Sequence, residues 1–223
     1  MPKVSTIAID GPAASGKTVV GRNLAQKLGF QFLDTGLMYR AAALATLQQS
    51  TSLSDDVALA NLVSDARITV TDTPNGTRVH LNDEDVTDSL HNSEVEAVVS
   101  RVAAVAGVRT VLVEKQRAMA EPGSIVMVGR DIGTVVLADA DIKVFLEASA
   151  EERARRRQAE RSQSDAESSV ASVQEKLEAR DSQDKQRTES PLKPADDAHI
   201  LVTDGLSIDQ VVAEIVKLVT ARE

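Results

Sequence analysis

Residues Ile7-Ala8-Ile9-Asp10-Gly11-Pro12-Ala13-Ala14-Ser15-Gly16-Lys17-Thr18 fit the spacing G-x-x-x-x-G-K-[ST] directly behind a short apolar run. The spacing has chemical meaning only between a strand and a helix. Both flanks are present: Val4 to Ile9 read as a buried strand, and Thr18 to Leu28 read as a helix, with Gly29 placed for a left-handed cap. A glycine-rich turn in that position aims several backbone N–H groups at one point, where the helix N-terminus adds partial positive charge. Gly11, Pro12, Ala13, Ala14, Ser15, Gly16, Lys17, Thr18 and Val19 are therefore the candidates to hold ATP or another nucleoside triphosphate. Lys17 can reach the β- and γ-phosphates, and the Thr18 hydroxyl can ligate Mg²⁺. The loop specifies a bound triphosphate and leaves open what becomes of it.

Further along the chain, helix and strand patterns alternate. Gln31 to Asp34 read as a short strand, followed by a helix from near Gly36 through Leu44. Asp55 to Ala66 read as a helix with Ser54 as its N-cap. Arg67 to Val70 and Thr77 to Leu81 alternate apolar and polar residues around Pro74-Asn75-Gly76, which predicts a hairpin, extended by Asp85-Val86-Thr87. Glu94 to Val105 and Val108 to Ala120 read as helices separated near Gly107. Ile125 to Val128 and Ile142 to Leu146 are unbroken apolar runs of the kind that a parallel sheet buries. Two charged helices, Glu151 to about Arg161 and Val173 to about Arg187, flank a Ser/Gln-rich stretch, Ser162 to Ser172, read as mobile. After Ser190-Pro191-Leu192-Lys193-Pro194, His199 to Thr203 read as the last strand, and Ser207 caps the last helix.

This order predicts an α/β fold, a doubly wound five-stranded parallel sheet, with a small antiparallel β insert. The expected division is a core of residues 1–66, 91–149 and 195–223, an insert of 67–90 and a helical segment of 150–194. In such sheets ligands gather at the carboxyl ends of the strands. Four polar clusters follow core strands: Asp10-Gly11, Asp34-Thr35, Gly129-Arg130-Asp131 and Ala148-Ser149.

Composition narrows the function classes. A formal net charge of −9 opposes non-specific nucleic-acid binding, which needs a basic face. Tyr39 is the sole tyrosine and tryptophan is absent, so stacking platforms for single strands are not expected. Without cysteine there is neither a disulfide nor a thiolate metal site. No stretch reaches the ~18 apolar residues of a membrane span, and the N-terminus lacks signal-peptide features, so the expectation is a cytoplasmic protein; the sequence is silent on oligomeric state, for which a monomer is the default expectation. The three histidines, His80, His91 and His199, show no metal-ligand spacing. Neither an N-K-x-D guanine signature nor a D-x-x-G switch motif occurs.

Phosphoryl transfer needs two anions aligned and their charge neutralised. Arg130 follows a core strand, where its guanidinium can fork onto a phosphate, and Asp131 beside it can accept from a base or ribose donor. Arg180, Asp184 and Arg187 recur at i, i+4 and i+7 on one helical face; spacing alone describes a solvated ion pair there. Of Arg153, Arg155, Arg156 and Arg157, at most two can face one ligand. Asp34, Tyr39 and Arg40 follow the second strand, with Tyr39 equally readable as a packed aromatic. Nothing local marks Ser100 or Arg109.

Together these segments resemble the bacterial cytidylate kinases over nearly the whole chain. The likeness rests on Ile7 to Thr18, on L-D-T-G-L-M-Y-R at Leu33 to Arg40, and on L-N-D-E-D-V-T-D at Leu81 to Asp88. It continues through V-S-R-V-A at Val99 to Ala103, G-R-D-I-G-T-V-V at Gly129 to Val136 and F-L-E-A-S at Phe145 to Ser149, then R-D-S-Q-D-K-Q-R and S-P-L within Arg180 to Leu192. The resemblance implies a P-loop kinase that phosphorylates CMP and dCMP with ATP and Mg²⁺. It implies that Ser100, Arg109 and Asp131 read the cytosine, that Arg180 and Asp184 hold the ribose, and that Thr35, Arg130 and Arg187 grip the monophosphate. Asp34, Tyr39 and Arg40 join that acceptor set, and Arg157 joins the ATP set. Lys17, Arg130 and Arg187 carry the catalysis. The insert becomes a monophosphate-binding region and 150–194 a lid. Three positions depart from the family pattern: Val128 replaces an acidic residue, His91 an arginine and Asp83 a glycine.

Overall fold

The structure, a computed structural model, describes residues 4–73, 76–160 and 169–222. Its five-stranded parallel sheet has the order β2-β6-β1-β7-β8, formed by β1 (Thr6–Asp10), β2 (Gln31–Asp34), β6 (Ile125–Gly129), β7 (Ile142–Glu147) and β8 (His199–Val202). A three-stranded antiparallel sheet has the order β3-β4-β5, from Ile68–Thr73, Gly76–Leu81 and Glu84–Asp85. The helices are α1 (Lys17–Leu28), α2 (Thr35–Gln48), α3 (Asp56–Asp65), α4 (Ser93–Ala103), α5 (Ala106–Ala120), α6 (Ala150–Glu160), α7 (Val170–Gln186) and α8 (Ile208–Arg222). The chain divides into two compact units, Met1–Phe30 with Ser124–Glu223, and Gln31–Gly123.

In the first unit, β1 lies between β6 and β7, with Ile9 opposite both Val128 and Val144. Ile7, Ile9, Met127 and Leu146 are fully buried, which explains the unbroken apolar runs: strands covered on both faces have no solvent side to alternate with. α1 packs on β6 and α8, and α6 packs on α7. Gly29 closes α1 with φ 69°, its N–H donating back into the last turn, as expected of a left-handed cap. Ser207 Oγ accepts from Gln210 N at 3.2 Å, which caps α8 as read.

In the second unit, α2 is apolar on almost every side, with Met38, Ala41, Ala42 and Ala43 fully buried. It packs against α4 and the β3–β4 hairpin, where Ile68 pairs with Leu81 and Val70 with Val79. The Pro74-Asn75 part of the expected turn lies outside the described residues. Asn82 and Asp83 both take positive φ, 50° and 72°, and join β4 to β5 as a two-residue turn. Asn and Asp tolerate that conformation, so the turn forms without a glycine at 83.

Four local readings are corrected. Asp55, not Ser54, caps α3 by accepting from Ala58 N at 2.9 Å, while Ser54 pairs with Ser52. The break between α4 and α5 falls at Ala104-Val105, and Gly107 lies inside α5. That glycine serves packing: a Cβ there would stand 2.6 Å from Ala60 Cβ on α3. The expected extension of the hairpin ends at Asp85, and Thr87 opens a 3₁₀ turn to His91. Of the Ser/Gln-rich stretch, 162–168 lie outside the described residues, whereas Ser169 caps α7 by accepting from Ser172 N.

Candidate functional site

The phosphate loop runs from the end of β1 into α1, with Gly16 at φ 92° as the last residue before the helix. Gly11 has no room for a side chain: a Cβ would lie 2.3 Å from the Leu146 carbonyl oxygen, and its φ of 151° is costly for any L-residue. Lys17, 7% exposed, folds over its own loop, Nζ donating to Pro12 O at 2.6 Å and to Ser15 Oγ at 3.3 Å. Thr18 and Val19 are exposed at the helix start.

Two buried carboxylates brace this loop and its neighbour. Asp10, the last residue of β1, accepts from Ile132 N at 2.8 Å and Gly133 N at 2.7 Å. These amides begin the turn Ile132–Val136, so Asp10 fixes the segment that follows Arg130 and Asp131. Burial is the main cause that pushes the Asp10 carboxyl up to about 6, against the pull of those two N–H groups. Asp181 on α7 accepts from Ala13 N at 2.9 Å and pairs with Arg153 of α6, whose Nη1 also donates to Ala13 O at 3.0 Å.

Among the four clustered arginines, two reach the phosphate loop, the number that helix geometry allows. Arg153 is one; Arg156 is the other, donating to Ser15 O at 3.3 Å and to Thr203 O at 2.8 Å. Arg155 turns to Glu152, and Arg157 Nη1 donates to Glu160 at 3.4 Å. A cleft of about 760 Å³ opens beside the loop, lined by Pro12, Arg153, Asp181, Lys185, Lys193 and Asp204 among others.

The arginine after β6 and the one that follows the end of α7 share one carboxylate. Arg130 Nε donates to Asp184 Oδ2 at 3.0 Å, and Arg187 Nη1 lies 3.7 Å from Asp184 Oδ1. Arg187 also donates to the carbonyls of Asp184 and Ser190. Two guanidiniums on one carboxylate leave one net positive charge, suited to a phosphate dianion. The expected shared helical face stops short of Arg187: α7 ends at Gln186, and Arg187 follows with ψ 136°, so it meets Asp184 as a helix-end contact, with Arg130 as the partner that spacing did not reveal. Arg180 sits half-buried on α7, and Asp131 is 3% exposed directly after Arg130.

In the second unit, Asp34 caps α2, its Oδ1 accepting from Gly36 N at 2.9 Å, and Thr35 is the buried first residue of that helix. Arg109 of α5, 4% exposed, lies over the Tyr39 ring at 5.2 Å and donates to Ala103 O at 3.1 Å. Tyr39 is therefore both a packed aromatic and the support of a candidate arginine. Arg40 donates to Leu90 O at 3.0 Å and reaches Glu96 at 3.4 Å. Ser100 is half-buried on α4. Sequence reasoning missed Asp10 as a brace and Asp181 altogether. The signal for Asp181 was its place in R-D-x-x-D-x-x-R, three residues before Asp184.

No group of three or more His, Asp or Glu side chains among the described residues could hold a metal ion. The exposed Thr18 hydroxyl at the loop fits a hard cation that arrives on a triphosphate, with phosphate oxygens completing its shell. No helix among the described residues is long and apolar enough to cross a membrane.

A parallel sheet, a strand–loop–helix phosphate cradle and arginines behind a neighbouring strand define a P-loop phosphotransferase. A solved shikimate kinase from Bacteroides thetaiotaomicron shares the fold, with a TM-score of 0.51 at 14% identity, covering 97% of this chain and 98% of that one. The family model for cytidylate kinase matches residues 7–221, and the chain belongs to that family. The cytidylate kinase of Exiguobacterium sibiricum is 47% identical over 212 residues, 95% of each chain. That of Geobacillus sp. is 44% identical, covering 97% of this chain and 96% of its own. The bifunctional pantoate ligase/cytidylate kinase of a Nostoc species is 47% identical over 94% of this chain, which spans 40% of that protein.

Proposed function

We propose that this chain transfers the γ-phosphoryl group of ATP to CMP, and to dCMP, as a cytoplasmic monomer. The observation that carries the acceptor reading is the Arg130–Asp184–Arg187 cluster, in the same compact unit as the phosphate loop. Gly11 to Val19, with Arg157, bind ATP. Thr35, Arg130 and Arg187 grip the monophosphate, Arg180 and Asp184 hold the sugar, and Ser100, Arg109 and Asp131 read the cytosine. Asp34, Tyr39 and Arg40 support that set, with residues 67–90 as the monophosphate-binding insert and 150–194 as the lid. Thr18 would hold Mg²⁺, which when bound neutralises the β- and γ-phosphate oxygens.

A CMP phosphate oxygen attacks the γ-phosphorus in line. The new P–O bond forms as the bond to the β-phosphate oxygen breaks, and ADP leaves. The attacking oxygen is already anionic, so no general base is required. Lys17, Arg130 and Arg187 neutralise charge that spreads over the transferring group. The lid excludes water, which would otherwise accept the phosphoryl group.

An ADP-release assay with ATP and each of CMP, dCMP, UMP, AMP and GMP tests this reading. Turnover with CMP and dCMP, and little with the others, is the expected outcome, and it would show that Val128 is tolerated. Turnover with AMP or GMP but not CMP would overturn the acceptor assignment.

A further inference from the structure

Asp181 has no role in the reading above, yet it is 4% exposed and among the most enclosed residues of α7. One carboxylate oxygen accepts from Ala13 N at 2.9 Å, and the other takes Nη1 of Arg153. That same nitrogen donates to Ala13 O at 3.0 Å, and Arg153 Nε donates to Ala148 O at 3.2 Å. Both backbone polar groups of one phosphate-loop residue are thus held by a buried ion pair drawn from α6 and α7. Ala13, Ala154, Val173 and Leu177 form a buried apolar cluster around the same junction.

Three residues along α7, Asp184 holds Arg130 at 3.0 Å. Residues at i and i+3 share a helical face, so one face of α7 presents a carboxylate to the donor loop and another to the acceptor arginine. An α-helix is stiff over one turn. A displacement that loosens Arg130 therefore moves the loop anchor as well.

We infer that Asp181, acting through Arg153 and Ala13, is a positioning residue for phosphoryl transfer. It fixes the phosphate loop to the helix that orients Arg130. Neither Asp181 nor Arg153 need touch the reacting atoms for this. The pair sets the loop's conformation, and misplacing bound groups by about 1 Å costs on the order of a hundredfold in rate. The inference rests on the ATP and CMP sites proposed above.

The test compares wild type with Asp181→Asn, Arg153→Lys and Glu214→Gln. Glu214 is an exposed carboxylate on α8, away from the cleft, and controls for loss of one helix charge. Readouts are kcat, KM for ATP and for CMP, the Kd of a non-hydrolysable ATP analogue, and the melting temperature. Asp181→Asn is expected to lower kcat and analogue affinity about tenfold or more each, with KM for CMP changed less than about threefold. Arg153→Lys follows in the same direction, and Glu214→Gln leaves all four values unchanged. A lowered melting temperature with kcat and analogue affinity intact would reduce Asp181 to a structural residue and overturn the inference. Should Asp181→Asn fail to fold, Arg153→Lys decides by the same criteria. If the wild type turns over no CMP, the site reading fails separately, and analogue affinity alone then supports or overturns this inference.

Discussion

In the unit of Met1–Phe30 and Ser124–Glu223, candidate residues sit on loops leaving strand ends or on the flanking helices α6 and α7. Buried carboxylates hold those loops: Asp10 takes two backbone N–H groups, Asp181 holds the phosphate loop, and Asp184 holds Arg130. In Gln31–Gly123 the candidates lie on helices or, like Asp34, cap one, and the arginines are held chiefly by a ring face and by carbonyl oxygens: Arg109 over Tyr39, and Arg40 on Leu90 O with Glu96 at 3.4 Å. The first arrangement fixes backbone to within a hydrogen bond and costs burial of charge. The second fixes a side chain by packing and leaves its backbone in an ordinary helix.

If that contrast is right, the largest single effect belongs to the first unit. Arg130→Ala should lower kcat/KM by about 10²–10³-fold, or roughly 3–4 kcal/mol, by analogy with loss of a transition-state donor. Steady-state kinetics with CMP measures it, and near-full activity would remove Arg130 from the mechanism.

Asp10 tests what bracing a backbone costs. Its carboxyl is held at about 6 in the folded chain, above the ordinary 3.8, chiefly by burial. The folded state binds the proton more tightly, so Asp10's contribution to stability is full below about pH 4 and is lost as pH rises through 6. The stability of wild type minus that of Asp10→Asn should therefore fall by roughly 2–3 kcal/mol between pH 4 and pH 7. Urea unfolding of both proteins across that range reads it, and a flat difference would contradict the assigned cause.

One glycine from each unit sharpens the contrast further. Gly11→Ala meets the Leu146 carbonyl at positive φ and should cost about 2–3 kcal/mol together with ATP binding. Gly107→Ala meets only a methyl group on α3 and should cost about 1–2 kcal/mol, leaving kcat/KM unchanged. Equal catalytic damage from both would erase the distinction. The smallest effect expected is on selectivity: Asp131→Ala should narrow the CMP-over-UMP rate ratio by about tenfold. An unchanged ratio would take base reading away from Asp131.

The same contrast governs what was legible in the sequence. Loops that carry chemistry at strand ends keep their residues contiguous, so Gly11 to Thr18 and Gly129 to Thr134 announced themselves as motifs. The inner strands β1, β6 and β7 were equally plain, because burial on both faces leaves unbroken apolar runs. Ser100 and Arg109 lie at ordinary helical positions on α4 and α5, and only resemblance to a family singled them out. The Arg153–Asp181 pair joins residues 28 apart and was invisible for another reason: each reads locally as a charge on a solvated helix. Gly107 misled because glycine is commoner between helices than within them, and its use here, close approach of α3, is a tertiary fact.

Direct transfer between two nucleotides leaves a product signature that phosphorus NMR of the enzyme with ATP, Mg²⁺ and CMP can read. CDP and ADP should grow in equal amounts while inorganic phosphate stays at the level of an enzyme-free control. Phosphate release in step with ADP, or ADP without CDP, would contradict direct transfer.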